Sequence, residues 1–439
     1  MNIDRHSSRR GARGTCILLA AAWLLAAGPA RSQAPPPGSA GSTPPTLDDT
    51  MEAGESEAVE SPRRQMVKWN EYEGPYFTIR AGGGFLVEGA AFEQDEESKQ
   101  QLDLESDWKV RDARLSLKGR FPKFKRAVTW TSGIMYDGPT DQYLVRETGV
   151  MIAVPELRGH IFVGRTKEGF SLNKVMVGYA GWTMERSTIN DATIPILADG
   201  IKWLGYIPER HLLWNLGFYK DWFSEGQTFS TYDTQAVGRI AWLPVASEKT
   251  GTLVHIGLSG RYGEPDEGKL KLRSRPEAFP APYFVDTGSF PCDKTEMLGL
   301  EAYYRPGPWL FGTEYFVQWA DAKASGDPVF HGGEMVATWL ITGETRSYNT
   351  RGGFFNSVSP ARSVFEGGPG AWEAVARVSY IDLDGGTLHG GKFWRFTPMV
   401  NWHLSDHLRL EFAYGYGELD RFDLKGATHF FQTRLQMTL

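Results

Sequence analysis

The chain has 439 residues, with 47 Lys and Arg against 53 Asp and Glu, a formal charge of −6 and a mean hydropathy of −0.36. So polar an average excludes a bundle of membrane-spanning helices, each of which needs about 20 consecutive apolar residues. The acidic balance gives no reason to expect nucleic acid as a partner, while 13% aromatic residues and 50 Gly point to β structure.

Arg5, Arg9, Arg10 and Arg13 precede an apolar run from Cys16 to Ala27, and small residues follow. That order is a secretory signal peptide, expected over 1–30, and the run is too short to span a bilayer. Residues 31–70 form a Pro- and Glu-rich linker. Its stretch 32–62 holds Asp48, Asp49, Glu52, Glu55, Glu57 and Glu60 with no Lys or Arg, a composition that buries too little apolar surface to fold. Residues 1–31 carry +4 and 32–62 carry −6, which leaves a nearly neutral body of −4 over 63–439. Apart from Cys16 in the leader, Cys292 is the only cysteine, so no disulfide framework and no cysteine-rich metal site can form.

The body is 71–439, and from Tyr76 onward its polarity alternates with a period of two residues, in stretches of about ten residues broken by Gly, Pro, Asp and Asn, the signature of strands. In Leu408–Tyr416 one face is Leu408, Leu410, Phe412, Tyr414 and Tyr416, and the other is Arg409, Glu411, Ala413 and Gly415. Aromatics at strand ends, such as Trp372, Tyr380, Trp394 and Trp402, opposite a polar face suit a transmembrane antiparallel β-barrel, with lipid outside, water inside and two aromatic girdles. Seventeen stretches alternate, including 75–87, 142–154, 171–183, 199–206 and 333–345. Bacterial single-chain barrels have even strand numbers, so the expectation is an all-β barrel of about 16 strands, with 142–154 and 199–206 the least regular. The irregular stretches 183–199, 264–295 and 347–369 are candidates for external or inward-folded loops.

The residues 370–383 (Gly-Ala-Trp-Glu-Ala-Val-Ala-Arg-Val-Ser-Tyr-Ile-Asp-Leu), Val400-Asn-Trp-His-Leu404 and Phe431-Gln-Thr-Arg-Leu-Gln436 resemble the closing strands of the phosphate-selective porin O and P family. Val163-Gly-Arg-Thr-Lys-Glu-Gly-Phe-Ser-Leu172 resembles its strand and turn with a Lys, here Lys167, near a Phe-Ser pair, and Met184-Glu-Arg-Ser187 the start of its third loop. The resemblance implies a homotrimer of sixteen-stranded barrels in the lipid of a Gram-negative outer membrane, with the N-terminus periplasmic. It also implies passage of small solutes, anions such as phosphate among them.

Alternation places Arg114, Lys118, Arg120, Arg239, Arg261, Arg377, Arg395, Arg409 and Arg434 on lumen faces, with Glu301, Glu314, Glu373 and Glu411 as the acids. Such a cationic set attracts anions into a pore. The competing reading is that pairs such as Arg377 and Glu373 brace the wall. Lys167 and Arg186 join the candidate pore lining, and Glu185 with Arg186 mark a constriction loop expected to fold inward.

Enzyme signatures are thin: G-x-S-x-G, H-E-x-x-H and G-x-x-x-x-G-K-[ST] are all missing. Ser259 and His255 stand about 13 Å apart on a strand, and a turn separates His403 from His407. Neither a catalytic set, a metal nor a cofactor is expected. A barrel enzyme of the lipase or protease type is the alternative, and it would need a clustered Ser, His and carboxylate.

Overall fold

The computed structural model describes residues 70–137, 142–220, 232–247 and 249–439. The expected leader and all but the last residue of the 31–70 linker lie outside these residues. The wall begins with β1 (Thr78–Gln94), β2 (Asp107–Arg120), β3 (Val128–Asp137), β4 (Thr148–Val154) and β5 (Gly159–Thr166). It continues with β6 (Ala198–Ile207), β7 (Leu212–Lys220), β8 (Tyr232–Ser247), β9 (Thr252–Pro265), β10 (Lys294–Pro306) and β11 (Trp309–Asp321). The last five are β12 (Val329–Leu340), β13 (Ala371–Gly385), β14 (Leu388–His403), β15 (Leu408–Arg421) and β16 (Leu424–Thr438). Gln142–Val145 also pairs with β3, as an interrupted forward part of β4.

Each strand pairs antiparallel with its predecessor, and β16 returns to β1 from Gly84 opposite Thr438 to Gln94 opposite Thr428. Closure is what lipid demands, because an unpaired strand edge cannot be solvated there. No helix among the described residues is long and apolar enough to cross a membrane. The sixteenfold count comes out as expected, but by a different subtraction. Both irregular stretches, 142–154 and 199–206, are strand, whereas 171–183 is not. That stretch holds the short helix Leu172–Val175 and a 3₁₀ turn at Gly178–Ala180. Its apolar residues Leu172, Met176 and Trp182 are buried, at no more than 1% exposure, in the lumen instead of facing lipid.

The outward face is apolar, with Leu258, Leu300, Met335 and Phe412 exposed. At the end with the short turns, Trp309 stacks on Trp339 at 5.0 Å and Trp372 on Trp402 at 4.9 Å. Toward the other end lie Tyr315, Tyr380, Trp394 and Tyr414. These are the two aromatic girdles of a membrane barrel.

The seam where β16 meets β1 also carries charge. Arg434 on β16 pairs with Glu88 on β1 (Nε to Oε2 3.1 Å), both buried. Replacing Arg434 by Met strands Glu88 without its cation, which costs about 3–5 kcal/mol for a buried pair broken on one side. The expected outcome is a lower temperature for conversion of the compact band to the unfolded band on a gel of the detergent-solubilised protein. An unchanged conversion temperature would count against the seam.

Candidate functional site

The lumen is filled by three segments of the chain. Residues 167–197 follow β5 and residues 266–293 follow β9, entering from the end with the longer loops. Residues 341–370 follow β12 and enter from the opposite end, where the other connections are short turns and both ends of the barrel lie. The three irregular stretches singled out in the sequence therefore all fold inward, one of them from the turn side.

The segments are held by buried ions. Glu168 of the first segment meets Arg261 on β9 at 2.9 Å. Glu185 takes a bidentate bond from Arg111 (2.6 and 3.0 Å) and also pairs with Arg434. Burial alone would raise the Glu185 carboxyl, but Arg111 and Arg434 outweigh it and hold it at about 2. Glu277 of the second segment pairs with Arg377 on β13 and accepts from the Thr188 backbone at 3.2 Å. In the third segment the polarity is reversed: Arg346 donates twice to Glu373 on β13, at 2.8 and 2.9 Å.

A row of three glutamates seats the start of the first segment. Glu301, Glu314 and Glu334 stand in register on β10, β11 and β12. Glu301 accepts from the Leu172 N–H at 2.6 Å. Glu314 accepts from the Asn173 N–H at 2.8 Å and from the Ser171 hydroxyl, and Glu334 from the Asn173 side chain at 2.5 Å. Ser171 has φ of +66°, a left-handed conformation that costs a non-glycine residue energy and needs such anchoring. From the other side, Arg239 on β8 bonds Glu301 and the Gly353 carbonyl of the third segment, and His255 bridges Glu301 and the Tyr348 hydroxyl. The first and third segments meet at mid-lumen, where Trp182 packs on Phe355 and Arg346 donates to the Ala180 carbonyl at 2.9 Å.

This filling is one-sided. His255, Glu301, Glu314, Glu334, Glu373 and Arg395 are at most 4% exposed, whereas Arg80, Ser116, Lys118 and Thr131 on β1 to β3 are only half-buried. The free space therefore runs along the β1 to β4 wall. There Arg111, Arg114, Arg146, Lys167 and Arg186 converge closely enough to act on one another electrostatically. Among the described residues Arg114 pairs with Asp112, two residues away, and stacks on Tyr179 at 4.6 Å. Lys167 and Arg186 donate to the Met176 carbonyl at 2.5 and 3.0 Å. Burial and then Arg186 pull the Lys167 ammonium well below its ordinary value, and burial, partly offset by Glu185, lowers Arg186 to about 10. Gly84 lets the loop touch the wall here, since a Cβ would lie 2.1 Å from the Tyr179 hydroxyl.

The expected residues thus divide. Arg114, Lys118, Lys167 and Arg186 border the free side, and Arg120 sits exposed at its turn end. Arg239, Arg261, Arg377, Arg409 and Arg434 point inward but are spent in buried ion pairs, Arg409 with Glu411, while Arg395 donates to the Pro276 carbonyl and Gln432. The expected pairing of Arg377 with Glu373 is corrected: Arg377 takes Glu277 and Glu334, and Glu373 takes Arg346. The wall also holds inward acids beyond the expected four: Glu88, Asp112 and Glu334. Glu88 lies one residue past the expected end of the first strand, Asp112 stands in phase with Arg114 and Lys118 yet is missing from the expected acids, and a bulge shifts Arg111 out of the alternation. Arg146, Glu168, Glu277 and Arg346 lie on connections, where alternation gives no signal. Among the described residues no group of three His, Cys, Asp or Glu is placed to hold a metal.

A wall dressed for lipid outside and narrowed by its own charged segments inside belongs to a channel-forming barrel of the outer membrane, a porin. Residues 88–439 match the family described as phosphate-selective porin O and P, and the chain belongs to that family. It is 29% identical over 195 residues to an uncharacterized protein of Caulobacter vibrioides, covering 44% of this chain and 38% of that one. Over 205 residues it is 25% identical to Porin O of Pseudomonas aeruginosa, covering 39% of this chain and 45% of the relative. The chain thus matches less than half the length of these relatives. Similar folds include a loop-deletion form of OmpT, an outer-membrane protein of Vibrio cholerae, at 12% identity and TM-score 0.54, covering 83% of this chain and 100% of that one. An anion-selective porin from Comamonas acidovorans shares 13% identity at TM-score 0.51, again covering 83% and 100%.

Replacing Glu314 by Ala leaves the Asn173 N–H and the Tyr303 hydroxyl without their acceptor and the Ser171 hydroxyl with Asn190 alone, at a cost of about 1–3 kcal/mol for each buried donor left unsatisfied. The first segment should become accessible to protease from the loop end and the open-channel current noisier. A quiet, protease-resistant channel would show that the glutamate row does not seat the segment.

Proposed function

We propose that the protein is a passive, anion-preferring diffusion channel that admits small anions such as phosphate along the β1 to β4 side of its lumen. The observation that carries this is the unequal distribution of charge: paired on the filled side, and in cationic excess where water has access. Arg114, Arg146, Lys167 and Arg186 meet Asp112 and Glu147 at the narrow part, and Lys118, Arg80 and Arg120 continue toward the turn end. Lys118 has no hydrogen-bond or ion-pair partner among the described residues. Fixed cations in a low-dielectric passage offset the hydration a permeating anion loses. Because charges beyond about 8 Å are largely screened at 0.15 M salt, this local excess decides selectivity, not the net charge of the body.

The family membership and the anion-selective structural neighbour support this reading. A trimeric form among the similar structures supports assembly as a homotrimer in outer-membrane lipid. The chain termini of the barrel share the end with the short turns, which in such barrels faces the periplasm. The chemistry of an enzyme has no support, since His255 and Ser259 are both engaged in seating the inner segments.

Converting Arg114, Lys118 and Arg146 together to Gln should abolish the anion-selective zero-current potential of the parent across a KCl gradient. A parent channel that prefers potassium would overturn the anion claim and leave the porin standing. A reporter fused after residue 62 should be active only in the periplasm. Activity in the cytoplasm would refute the proposed orientation.

A further inference from the structure

The turn between β2 and β3 is unlike the other turns. Its sequence from Arg120 is Arg-Phe-Pro-Lys-Phe-Lys-Arg, so four cations fall within seven residues. Lys123 and Lys125 are exposed, and Arg126 forms its pair with Glu156 at 2.8 Å while about half exposed. Phe124 is 63% exposed, and Lys123 lies 5.8 Å from the ring of Tyr76, itself 70% exposed. Tyr72 and Phe77 extend the same surface. Near it, at Arg80, Lys118 and Arg120, begins the cationic side of the lumen. Exposed aromatics stand here beside Lys123 and Lys125, which have no acidic partner among the described residues.

The described chain begins beside this surface. Asn70 exchanges hydrogen bonds with Ala81 (2.8 and 2.9 Å), and Glu71 stands opposite Arg80. Ten residues upstream the sequence turns acidic: Asp48, Asp49, Glu52, Glu55, Glu57 and Glu60, with Met51 and Val59 among them and no base between 32 and 62. Ten residues reach at most about 35 Å, enough to bring Glu60 and its neighbours over the turn. A tether of this length holds the acids at an effective concentration in the millimolar range. Weak individual pairs of exposed charges then suffice, where free molecules would not compete. Arg63, Arg64 and Lys68 lie within the tether and share the sign of the turn.

We propose that the acidic segment 48–60 of the same chain docks on the Arg120–Arg126 turn and its exposed aromatics, as a tethered counter-charge at the turn-end mouth of the channel. Docked there, its carboxylates offset the cations at that mouth and reduce anion preference at low salt. The docking stands apart from the anion reading of the lumen; only the effect on flux rests on it.

The test uses the full mature chain in detergent and in phosphatidylcholine vesicles, with a carbodiimide that joins a lysine amine to a carboxylate with loss of water. Mass spectrometry should find links from Lys123 or Lys125 to acids within 48–60. Their yield should fall roughly fivefold or more between 0.1 and 1 M KCl, as the screening length shrinks from about 10 to about 3 Å, and vanish in the variant Lys123→Gln with Lys125→Gln. Vesicles containing phosphatidylglycerol address the alternative occupant. If the lysines are shielded only by those vesicles and never linked to 48–60, the turn is a lipid contact and the proposal fails; no links and no shielding also overturn it. With all six acids converted to Asn or Gln, the zero-current potential should move toward stronger anion preference at 0.1 M and not at 1 M. A parent that links as expected but prefers potassium would refute the anion reading alone, whereas an anion-selective parent without links would refute the docking alone.

Discussion

A guanidinium taken out of water must meet a carboxylate or several carbonyl oxygens, and inside this barrel that requirement decides where the chain goes. The wall presents Arg261, Arg377 and Arg434, and the inward segments bring Glu168, Glu277 and Glu185 to them. Where the wall presents Glu373, the third segment brings Arg346. A lone buried charge costs several kcal/mol, so an inner segment displaced from its seat leaves a penalty on both partners. The pairs add little net stability over a well-packed apolar filling. Their effect is to make each segment fit one place.

Segregation of charge follows from the same requirement. Cations that meet acids are consumed in holding the filling against β8 to β15, and those along β1 to β4 outnumber the acids beside them, Glu71, Asp112, Glu147 and Glu185. On the proposed reading the path is lateral, and its sign is set by a minority of the lumen cations. Arg239 and Arg377 are as inward and as basic as Arg114, yet Glu301 and Glu277 cancel them at contact distance. Counting charges on lumen faces therefore overstates the field, and knowing which charge is already answered corrects it.

The wall could be read from sequence because its periodicity is local: Leu408 to Tyr416 alternate as they do whatever the rest of the chain does. The stretch 171–183 misled because burial in the lumen and exposure to lipid both select apolar residues, and Leu172, Met176 and Trp182 carry no mark of which they face. The bulge at Arg111 defeated alternation by one residue, enough to hide Arg111, whereas Asp112 was legible from its phase with Arg114. Glu168, Glu277 and Arg346 were out of reach for another reason. Each lies on a connection, and its partner is set by three-dimensional seating, not by spacing along the chain. Arg114 and Lys118 were legible as candidates, but that they stay half-open while Arg377 does not depends on where 266–293 settles.

The contact of Arg434 with both Glu88 and Glu185 ties two events together. Glu88 belongs to the first strand of the wall, Arg434 to the last, and Glu185 to a segment folded inside. Closing the wall pairs Arg434 with Glu88, and seating the segment brings Glu185 to the same guanidinium. The ladder that seals the wall and the seat of the inner segment thus share one side chain, so a single guanidinium registers both the sealing of the cylinder and the furnishing of its passage.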